Sequence, residues 1–571
     1  MSLIETTPMT ARPRTLLQRT VRFGVPQFVV ILAVLLFFGS RLGEGGNIER
    51  QWFHLFRTIL VGVAAGLLAL WAIFLSGWRK LPVLIVILAI TGSSWALFRI
   101  EYDGNLRPRI HVRDWVLRLF GASHSDDLAK QDEIQARTFA KRIVDPTPLP
   151  TDFAGFRGAD RSGVVNGPLL NREWNARPPR QIWKWLVGGG YSAFAVVNEF
   201  LYTMEQRDDQ EAVVCYDAVN GNKLWSHAWP GRFEESMGGT GPRSTPTIDH
   251  GDVFAYGAFG RLVCLNAVTG ELKWAVDTIQ GTKNLRWAMS GSPLVYDNLV
   301  IVNPGAQTPN RSGKALVAYD RRDGSIVWSS GKYQAGYASP MLVKLRGRLQ
   351  ILLFDGAGLG GYDPELGTEL WRLPWQTQGD SGINVAQPIV LEREHLPSPT
   401  LGATIGSLGM QPHVERAGEV FIASGYSRGG ALIRVTPEGA GWKAEEVWRT
   451  PRSTMRCKFS SPIEHKGFIY GLDDGNLQCI DLADGEVKWT DKRRPTEGKA
   501  HGNGQLLRSG DLLVVLTEYG EVALVEANPD QFKELGRIKV LDGDKTWNNP
   551  ALAGGLLYIR NHVEMACVDL R

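Results

Sequence analysis

Cysteine is scarce in this chain, with five residues among 571. None stands in a C-x-x-C or C-x-x-C-H motif, and an odd number cannot all be paired, so neither a haem attachment site nor a disulfide framework is indicated. H-E-x-x-H is missing too, and we predict no metal site. Neither sign of charge is in large excess. The net charge is +4, and no basic tract alternates with aromatic residues, so we predict no nucleic-acid partner.

The chain does contain a repeated sequence pattern, which we call the frame. The segment CLNAVTGELKW ends at Trp274, and in each related segment a tryptophan stands ten positions after a small residue, with a turn signal between them. The frame recurs about every 50 residues, with one longer gap, which is typical of a repeat architecture. Its tryptophans are Trp225, Trp274, Trp328, Trp371 and Trp489.

Each repeat unit predicts four short antiparallel strands. Between Ser290 and Trp328 the apolar runs SGSPLVY, NLVIVN, ALVAYD and SIVW are too short for helices and rich in Val, Ile and Leu. The Gly in the last turn supplies the positive φ that a tight turn needs. Four such strands make one blade of a β-propeller. Innermost strands open near Tyr191, Arg243, Ser290, Tyr337, Val385, Phe459, Gly502 and Asn548, which predicts eight blades.

The last unit stops at Arg571, before its own outer strand. The run Ile182–Val187, which precedes the first complete unit, has no place in any other blade. We expect it to complete the last blade, because closing the ring removes an exposed sheet edge. The predicted fold is therefore an all-β eight-bladed propeller with four antiparallel strands per blade, preceded by three transmembrane α-helices.

The cysteines and tryptophans of the frame have packing roles. Four cysteines occupy one repeat-equivalent position that Ala318 and Gly361 fill in other units, so we interpret it as a slot for a small side chain. Equivalent positions in separate blades are too far apart for disulfide geometry, and we expect free thiols. The flat tryptophans fill the gaps between blades. The cysteines are Cys215, Cys264, Cys479 and Cys567, with Cys457 outside the slot.

The frame D-x-x-x-G-x-x-x-W resembles the tryptophan-docking motif of the quinoprotein-alcohol-dehydrogenase-like propellers, which are built of PQQ-like repeats. It occurs at Asp217–Trp225, Asp320–Trp328, Asp363–Trp371 and Asp481–Trp489, and Asn266 replaces the Asp in one unit. The stretches Phe156–Gly163 and Gly241–Thr247 resemble a membrane-anchored bacterial branch of that family without an assigned activity. The resemblance implies the propeller fold strongly and the function weakly.

Three uncharged apolar runs stand in the first hundred residues, at 23–40, 58–77 and 81–98. Each has about the length needed to cross a bilayer as a helix. A signal peptide is the alternative for the first run, but no A-x-A cleavage site follows it. We predict a cytoplasmic tail at 1–22, a transmembrane region at 23–100, a juxtamembrane segment with a proline-containing linker at 101–150, and the propeller with the segment that leads into it at 151–571.

Positive charge sets the predicted orientation. Four arginines precede the first span, and Arg79 and Lys80 lie between the second and third. Placing both groups in the cytoplasm puts the propeller outside. Five further arginines between Arg99 and Arg118 crowd the outer end of the third span and oppose this orientation. We predict a multi-pass inner-membrane protein whose N-terminus is cytoplasmic and whose propeller is periplasmic.

Two apparent catalytic motifs belong to the repeat. GAGLGG at Gly356–Gly361 has the glycine spacing of a dinucleotide-binding loop, but a repeat hairpin follows where that loop needs a helix. The serines that open the inner strands lack the G-x-S-x-G frame, and we expect them to bond strand-end backbone groups. These serines are Ser244, Ser292, Ser339 and Ser461.

The mouth of the central channel, just before the inner strands, is the candidate binding site. Basic and aromatic residues predominate there, which suits an anionic ligand such as PQQ, a carboxylated sugar or an acidic peptide. The alternative is that these charges pair locally. The candidate ligand-binding residues are Arg243, Trp287, Asn384, Lys458, Lys499, His501, Trp547 and Asn548.

Two functions remain open. The first is a membrane-anchored platform that binds an envelope protein or an anionic small molecule. The second is a membrane-bound PQQ-dependent dehydrogenase of alcohols or sugars, in which PQQ with calcium is the cofactor that the resemblance implies. The residues themselves establish no cofactor and no catalytic group. No adjacent cysteine pair is present, although many alcohol-oxidising relatives carry one, so the first function is favoured.

The predicted topology is tested by protease added to spheroplasts. An epitope on the propeller should be digested and one on the first 22 residues should be protected. Lysed spheroplasts, in which both epitopes are digested, are the control. Protection of the propeller in intact spheroplasts would reverse the orientation.

Overall fold

The computed structural model describes residues 93, 95–102, 108–121, 123–138, 147–149, 151–279, 284–305, 314–377, 382–391, 417–493, 501–543 and 545–571. The chain divides into two compact units, Met1–Phe120 and Gly121–Arg571. The predicted spans lie outside the described residues, apart from the last few residues of 81–98. In the part that is described, no helix combines the length and the apolar character needed to cross a membrane.

A two-stranded hairpin and a short helix follow a few helical residues, 93 and 95–97, in the described part of the first unit. Strands β1 (Phe98–Tyr102) and β2 (Pro108–Val112) pair antiparallel, and helix α1 (Asp114–Leu119) follows. Arg113 ties these elements together, because its Nε donates to the main-chain oxygen of Phe98 at 3.2 Å.

The second unit is the predicted propeller. It begins with helix α2 (His124–Thr138), strand β3 (Val164–Val165) and strand β4 (Arg180–Leu186). Blade one contains β5 (Ala195–Val197), β6 (Phe200–Arg207), β7 (Gln210–Asp217) and β8 (Lys223–Pro230). A hairpin of β9 (Glu234–Glu235) and β10 (Gly239–Thr240) follows. Blade two contains β11 (Thr247–Asp249), β12 (Asp252–Tyr256), β13 (Arg261–Asn266) and β14 (Leu272–Asp277).

The next three blades follow in chain order. Blade three contains β15 (Leu294–Tyr296), β16 (Leu299–Val302), β17 (Leu316–Asp320) and β18 (Ile326–Ser330); blade four contains β19 (Met341–Leu345), β20 (Arg348–Asp355), β21 (Gly358–Tyr362) and β22 (Glu369–Pro374); blade five contains β23 (Ile389–Val390), β24 (Glu419–Ser424), β25 (Gly429–Glu438) and β26 (Gly441–Arg449).

The last three blades complete the ring. Blade six contains β27 (Ile463–His465), β28 (Phe468–Asp473), β29 (Asn476–Asp481) and β30 (Val487–Thr490); blade seven contains β31 (Gln505–Ser509), β32 (Leu512–Leu516), β33 (Glu521–Glu526) and β34 (Glu534–Lys539), with β3 added beside β31; blade eight contains β35 (Ala551–Ala553), β36 (Leu556–Arg560), β37 (Glu564–Asp569) and β4. The eight-bladed fold is confirmed.

Blade eight closes as predicted, since β4 pairs antiparallel with β37. Helix α2 packs beside this strand. The amide of Gln131 both donates to Leu186 O at 3.0 Å and accepts from Leu186 N at 2.9 Å. Gln135 Oε1 accepts from Lys223 N of β8 at 3.0 Å. The helix is therefore bonded to the outer strands of blades eight and one, on both sides of the closing seam.

The docking motif acts between neighbouring blades. Asp217 Oδ1 caps its turn by accepting from Val219 N at 2.8 Å, and Gly221 adopts φ +77°. Trp183 of blade eight lies over this glycine, where an added Cβ would come within 2.8 Å of its ring. Its indole donates to Ala218 O at 3.1 Å. Trp225, Trp274 and Trp489 donate to blades two, three and seven in the same way.

Two tryptophans of the frame differ in their indole bonds. The indole of Trp371 donates to Gln350 Oε1 of its own blade at 2.8 Å. Trp328 lies over Gly367, as the frame predicts, but its indole nitrogen is buried without a partner in the described part of the chain.

The cysteine slot is confirmed, and all five thiols are free and buried. Cys215, Cys264, Cys479 and Cys567 each stand opposite the tryptophan of the adjoining outer strand in the strand register. Burial raises the pKa of Cys457, Cys479 and Cys567 to about 12. These thiols are therefore packing groups and not nucleophiles at neutral pH.

Blade seven has no tryptophan in this position. Leu524 stands opposite Gly536 there, and Trp174, from the segment that precedes β4, fills the space. Its Cβ lies 2.4 Å from the point where a Cβ of Gly536 would stand. Trp174 is 3% exposed and packs with residues of blades seven and eight. The gap left by the degenerate repeat is thus filled from a distant part of the chain.

Replacing Trp174 should be costly. Trp174→Ala empties a buried aromatic slot, and we expect a loss of about 3–5 kcal/mol in the free energy of unfolding, measured by chemical denaturation of the full chain in detergent. Leu169→Ala, at a neighbouring side chain that is 92% exposed, is the control and should change stability by less than about 0.5 kcal/mol. Equal effects of the two substitutions would contradict the packing role.

Candidate functional site: the mouth of the channel

Hydrogen bonds join neighbouring blades where the inner strands begin. Five of them link a main-chain N–H of one blade to a side-chain oxygen of the next. They run from Ala193 N to Thr245 Oγ1 (3.2 Å), Thr245 N to Ser292 Oγ (2.9 Å), Ser292 N to Ser339 Oγ (2.9 Å), Ser339 N to Gln387 Oε1 (3.2 Å) and Gln387 N to Ser461 Oγ (2.9 Å).

Two amide side chains complete this set, which we call the hydrogen-bond ring. Gln505 Nε2 donates to Phe459 O at 3.0 Å and to Trp547 O at 2.9 Å. Asn548 Nδ2 donates to Ser192 O at 2.8 Å, which joins blade eight to blade one. Every blade is therefore bonded to both neighbours at the mouth of the channel.

The predicted role of the opening serines holds for Ser292, Ser339 and Ser461, which accept backbone N–H groups in the ring. Ser244 differs. In its blade Thr245 occupies the ring position, and the Ser244 hydroxyl is buried without a partner among the described residues.

In each blade one residue stands beside the opening, one or two positions before the residue that takes part in the hydrogen-bond ring. We call these eight residues the rim: Tyr191, Arg243, Ser290, Tyr337, Val385, Phe459, Asn503 and Trp547. The Trp547 ring stacks on Tyr191 with centroids 5.2 Å apart and meets Phe459 at 4.8 Å. Across the opening, Trp287 contacts Tyr337 at 5.7 Å. All five aromatic side chains are half-buried.

Arg243 is the cation of the rim, and its bonds go to main-chain oxygens. The guanidinium donates to Gly241 O, to Gly238 O at 2.5 Å and to Gly239 O at 3.0 Å. It also lies 4.4 Å from the centre of the Phe233 ring. Burial lowers the pKa of Arg243 to about 10. The side chain therefore holds the connection between blades one and two while its charge stays near the mouth.

Other charged residues of the mouth are bonded to each other. Lys458 Nζ lies 2.5 Å from Asp474 Oδ1, and both side chains are buried. Arg456 forms a two-pronged pair with Asp473, in which both N···O distances are 2.9 Å. Lys458, predicted as a ligand-binding cation, thus lies in a buried ion pair.

The remaining predicted ligand residues are dispersed. Asn384 is fully buried, and its amide bonds Asp355 O at 2.8 Å and Ser424 Oγ at 2.7 Å. His501 is buried near the outer strands of blades six and seven, 3.3 Å from Asp491, and burial lowers the pKa of its imidazole. Asn548 belongs to the hydrogen-bond ring, and Lys499 lies outside the described residues. Only Arg243, Trp287 and Trp547 come together at the opening.

The channel below the rim is occupied by residues 153–165, which we call the plug. Phe153 N donates to Val196 O of β5 at 2.9 Å, and Ile248 N of β11 donates to Ala154 O at 2.9 Å. At the other end of the plug, β3 runs parallel to β31 of blade seven. The plug therefore crosses from the inner strands of blades one and two to that of blade seven.

Two buried arginines hold the plug in place. Arg161, which is 5% exposed, donates to Ser292 O at 3.1 Å and to Pro293 O at 2.6 Å. Arg157, which is 1% exposed, donates to Leu506 O at 3.0 Å. Burial lowers the pKa of Arg161 to about 9 and that of Arg157 to about 10. Carbonyl dipoles of blades three and seven thus stabilise these cations.

The sequence alone did not predict a role for these plug residues. Arg157 and Arg161 lie in the family-like stretch Phe156–Gly163, but nothing in the repeat frame says where that stretch packs. Tyr191 and Phe459 were also missed. The signal for them was present, because both stand in the repeat position of Arg243 and Trp547.

The described residues do not fit a calcium–PQQ pair. No group of three His, Cys, Asp or Glu side chains converges on a metal position in the part of the chain that the structure describes. Glu518, beside the rim, accepts from the Trp547 indole at 3.0 Å and from Asn503 N at 2.9 Å. Asp473 and Asp474 are held by cations. The carboxylates nearest the opening are therefore already bonded within the protein.

Comparison with known proteins identifies the family. A family model for PQQ-like repeats, described as outer membrane protein assembly factor BamB, matches residues 209–491 and 359–571. These matches cover more than half of the chain, so the protein belongs to this family of PQQ-like β-propellers, as the docking motif predicted.

Individual relatives are more distant. The dehydrogenase subunit of a quinone-dependent alcohol dehydrogenase from Komagataeibacter europaeus is 28% identical over 140 residues, which are 23% of this chain and only 18% of that protein. BamB from Moraxella catarrhalis superposes with a TM-score of 0.46 at 14% identity, over 68% of this chain and 99% of that one. Quinohemoprotein alcohol dehydrogenase from Comamonas testosteroni gives 0.40 at 14%, over 78% and 84%.

The hydrogen-bond ring makes a quantitative prediction. Gln387→Ala removes the partner of both Ser339 N and Ser339 O in a buried position, and we expect a loss of about 1–3 kcal/mol in the free energy of unfolding. Gln376→Ala, at an exposed glutamine, is the control and should be neutral within about 0.5 kcal/mol. A neutral Gln387→Ala would show that the ring contributes nothing to stability.

Proposed function

We propose that this protein is a protein-binding platform of the bacterial cell envelope. Its N-terminal region, with the spans predicted at 23–40, 58–77 and 81–98, anchors it in the inner membrane. The propeller lies on the outer side and binds a partner protein with the rim. The aromatic rim is the observation that carries the proposal.

The composition of the rim suits a protein partner. Four aromatic residues of the rim, which are Tyr191, Tyr337, Phe459 and Trp547, are half-buried, as is the adjacent Trp287, so each offers apolar surface while its rotamer is restrained. Aromatic side chains are enriched at the energetic centres of protein interfaces. The hydrogen-bond ring holds the backbone beneath them, which limits the entropy lost on binding.

The charges of the mouth support the same proposal. Lys458 and Arg456 are paired with carboxylates, so an anionic small molecule would have to compete with existing ion pairs. An interface that buries aromatic surface needs no such exchange. The family description names an outer-membrane assembly factor, and we extend from it only the general role of binding a protein in the envelope.

The dehydrogenase alternative stays a prediction, because no contact at the rim favours it. It makes a separate demand that can be measured. The full chain would have to bind PQQ in the presence of Ca²⁺ and reduce an artificial acceptor with an alcohol or an aldose.

Site-specific photocrosslinking tests the proposed platform. A benzophenone amino acid is placed at Tyr337 of the rim and, as a matched control, at Tyr296. Both tyrosines are half-buried, and they stand at opposite ends of neighbouring inner strands. We expect a discrete adduct with an envelope protein in cells from position 337 only. The purified partner should then bind the full chain at least tenfold more weakly when Tyr337→Ala or Trp287→Ala is introduced.

Three outcomes would contradict the proposal. They are adducts of equal yield at both positions, no adduct at position 337, and Ca²⁺-dependent PQQ binding with acceptor reduction. The Tyr337→Ala variant should keep the wild-type unfolding midpoint within a few degrees, so weaker binding of the partner does not reflect a lost fold.

A further inference from the structure

A cluster of arginines stands at the seam of blades four and five, away from the rim. Trp375 follows outer strand β22, and Arg449 is the last residue of outer strand β26. Arg428 lies in the loop between β24 and β25, and Arg452 follows β26 by three residues. Outer strands end at the end of the propeller where inner strands begin. The cluster therefore lies on the same face as the mouth, farther from the axis.

Two of these guanidinium groups lie over one indole ring. Arg428 Cζ is 4.3 Å and Arg449 Cζ is 4.6 Å from the centroid of Trp375. Stacking on an aromatic face holds a guanidinium in a fixed orientation and leaves its edge N–H donors free for other partners. We call Trp375, Arg428, Arg449 and Arg452 the arginine platform.

Trp375 is itself fixed. It is fully buried, and its indole N–H donates to Ser424 Oγ at 3.1 Å. Ser424 in turn donates to Asn384 Oδ1 at 2.7 Å. Asn384 is therefore a positioning residue for the platform rather than a ligand residue of the mouth. A rigid support of this kind is what a preformed binding site requires.

The charge of the platform is not balanced by the described residues. Arg449 bonds Glu446 through its Nε at 3.0 Å, and Glu446 is the one carboxylate that pairs with any of the three arginines in the part of the chain that is described. Arg428 forms no hydrogen bond or ion pair there, and its Nε is buried without a partner. Arg452 is exposed and forms no ion pair with a described residue. Elsewhere on this face, Arg456 and Lys458 each have their own aspartate.

Burial and repulsion act together on Arg428. Burial, followed by the charges of Arg449 and Arg452, lowers the pKa of its guanidinium, and Glu446 opposes this only in part. An anion placed between the arginines would reverse that effect. It would also satisfy the buried Nε, because guanidinium donors match the oxygens of carboxylate and phosphate groups.

We propose that the arginine platform is a binding site for an oxyanion, in which Arg428 and Arg452 donate to its oxygens and Trp375 fixes the orientation of Arg428. The ligand class is a carboxylate or a phosphate group. The site does not depend on the rim or on the partner proposed for it.

Calorimetric titration of the full chain in detergent tests the site, with inorganic phosphate in one arm and citrate in the other, at constant ionic strength set with sodium chloride. We expect saturable binding to the wild type. Arg428→Gln should weaken it at least tenfold, and Arg452→Gln should weaken it severalfold. Arg322→Gln removes an exposed arginine that already has its own carboxylate in Asp320; this control should bind like the wild type.

The two arms distinguish the source of the oxyanion. Binding of phosphate alone assigns a phosphate group, binding of citrate alone assigns carboxylates, and binding of both supports a general oxyanion site. Thermal unfolding without added anion checks each variant, and Arg428→Gln should not lower the midpoint, since it relieves like-charge repulsion. Binding that is absent in the wild type, or unchanged in both Arg428→Gln and Arg452→Gln, overturns the proposal.

Discussion

Closure of the ring is the constraint on which the propeller depends. Blade eight has three strands from the end of the chain and receives its fourth, β4, from a segment that precedes blade one. Arg560 reinforces this seam. It is fully buried and donates to Gly188 O at 2.6 Å, across 372 residues of sequence, and to Thr203 Oγ1 at 2.7 Å. With the seam closed, the docking tryptophans and the hydrogen-bond ring can act around a complete circle.

Three of the buried arginines that the structure describes are held by carbonyl oxygens. Arg157, Arg161 and Arg560 all donate from their guanidinium groups to main-chain oxygens of distant segments. A guanidinium spreads its charge over several planar donors, so it can meet several carbonyl dipoles at once. For Arg157 and Arg161 this arrangement joins distant segments without a buried carboxylate partner, whose desolvation would be costly.

Features that recur in every repeat unit could be predicted from the sequence, whereas contacts that occur once in the molecule could not. The cysteine slot, the docking tryptophans and the closing strand were predicted, because each is defined by its place in a frame that recurs through the chain. Trp174 was missed because it fills the slot of a different strand. The arginine platform was missed for a related reason. Trp375, Arg428 and Arg449 come from three separate parts of blades four and five, and no spacing in the sequence brings them together.

The candidate site shows the same limit. Because Arg243, Trp287 and Trp547 stand just before inner strands in the sequence, we predicted that they border the opening, and the structure places them there. The same rule selected Asn384, Lys458 and His501, but their side chains turn into the seams between blades, where they form hydrogen bonds and ion pairs. Position in the repeat fixes where a backbone lies, whereas local partners decide which way a polar side chain points.

The plug has a consequence for the order of folding. Its residues lie inside a ring whose blades are all made later in the chain, and β3 already occupies the free edge of β31. Phe153 and Ala154 bond blades one and two, whereas β3 needs blade seven. Residues 153–165 can therefore pack completely only after β31 has formed. Contacts of such long sequence separation are slow to form, and until β4 pairs with β37 the open sheet edge of blade eight is exposed to other chains.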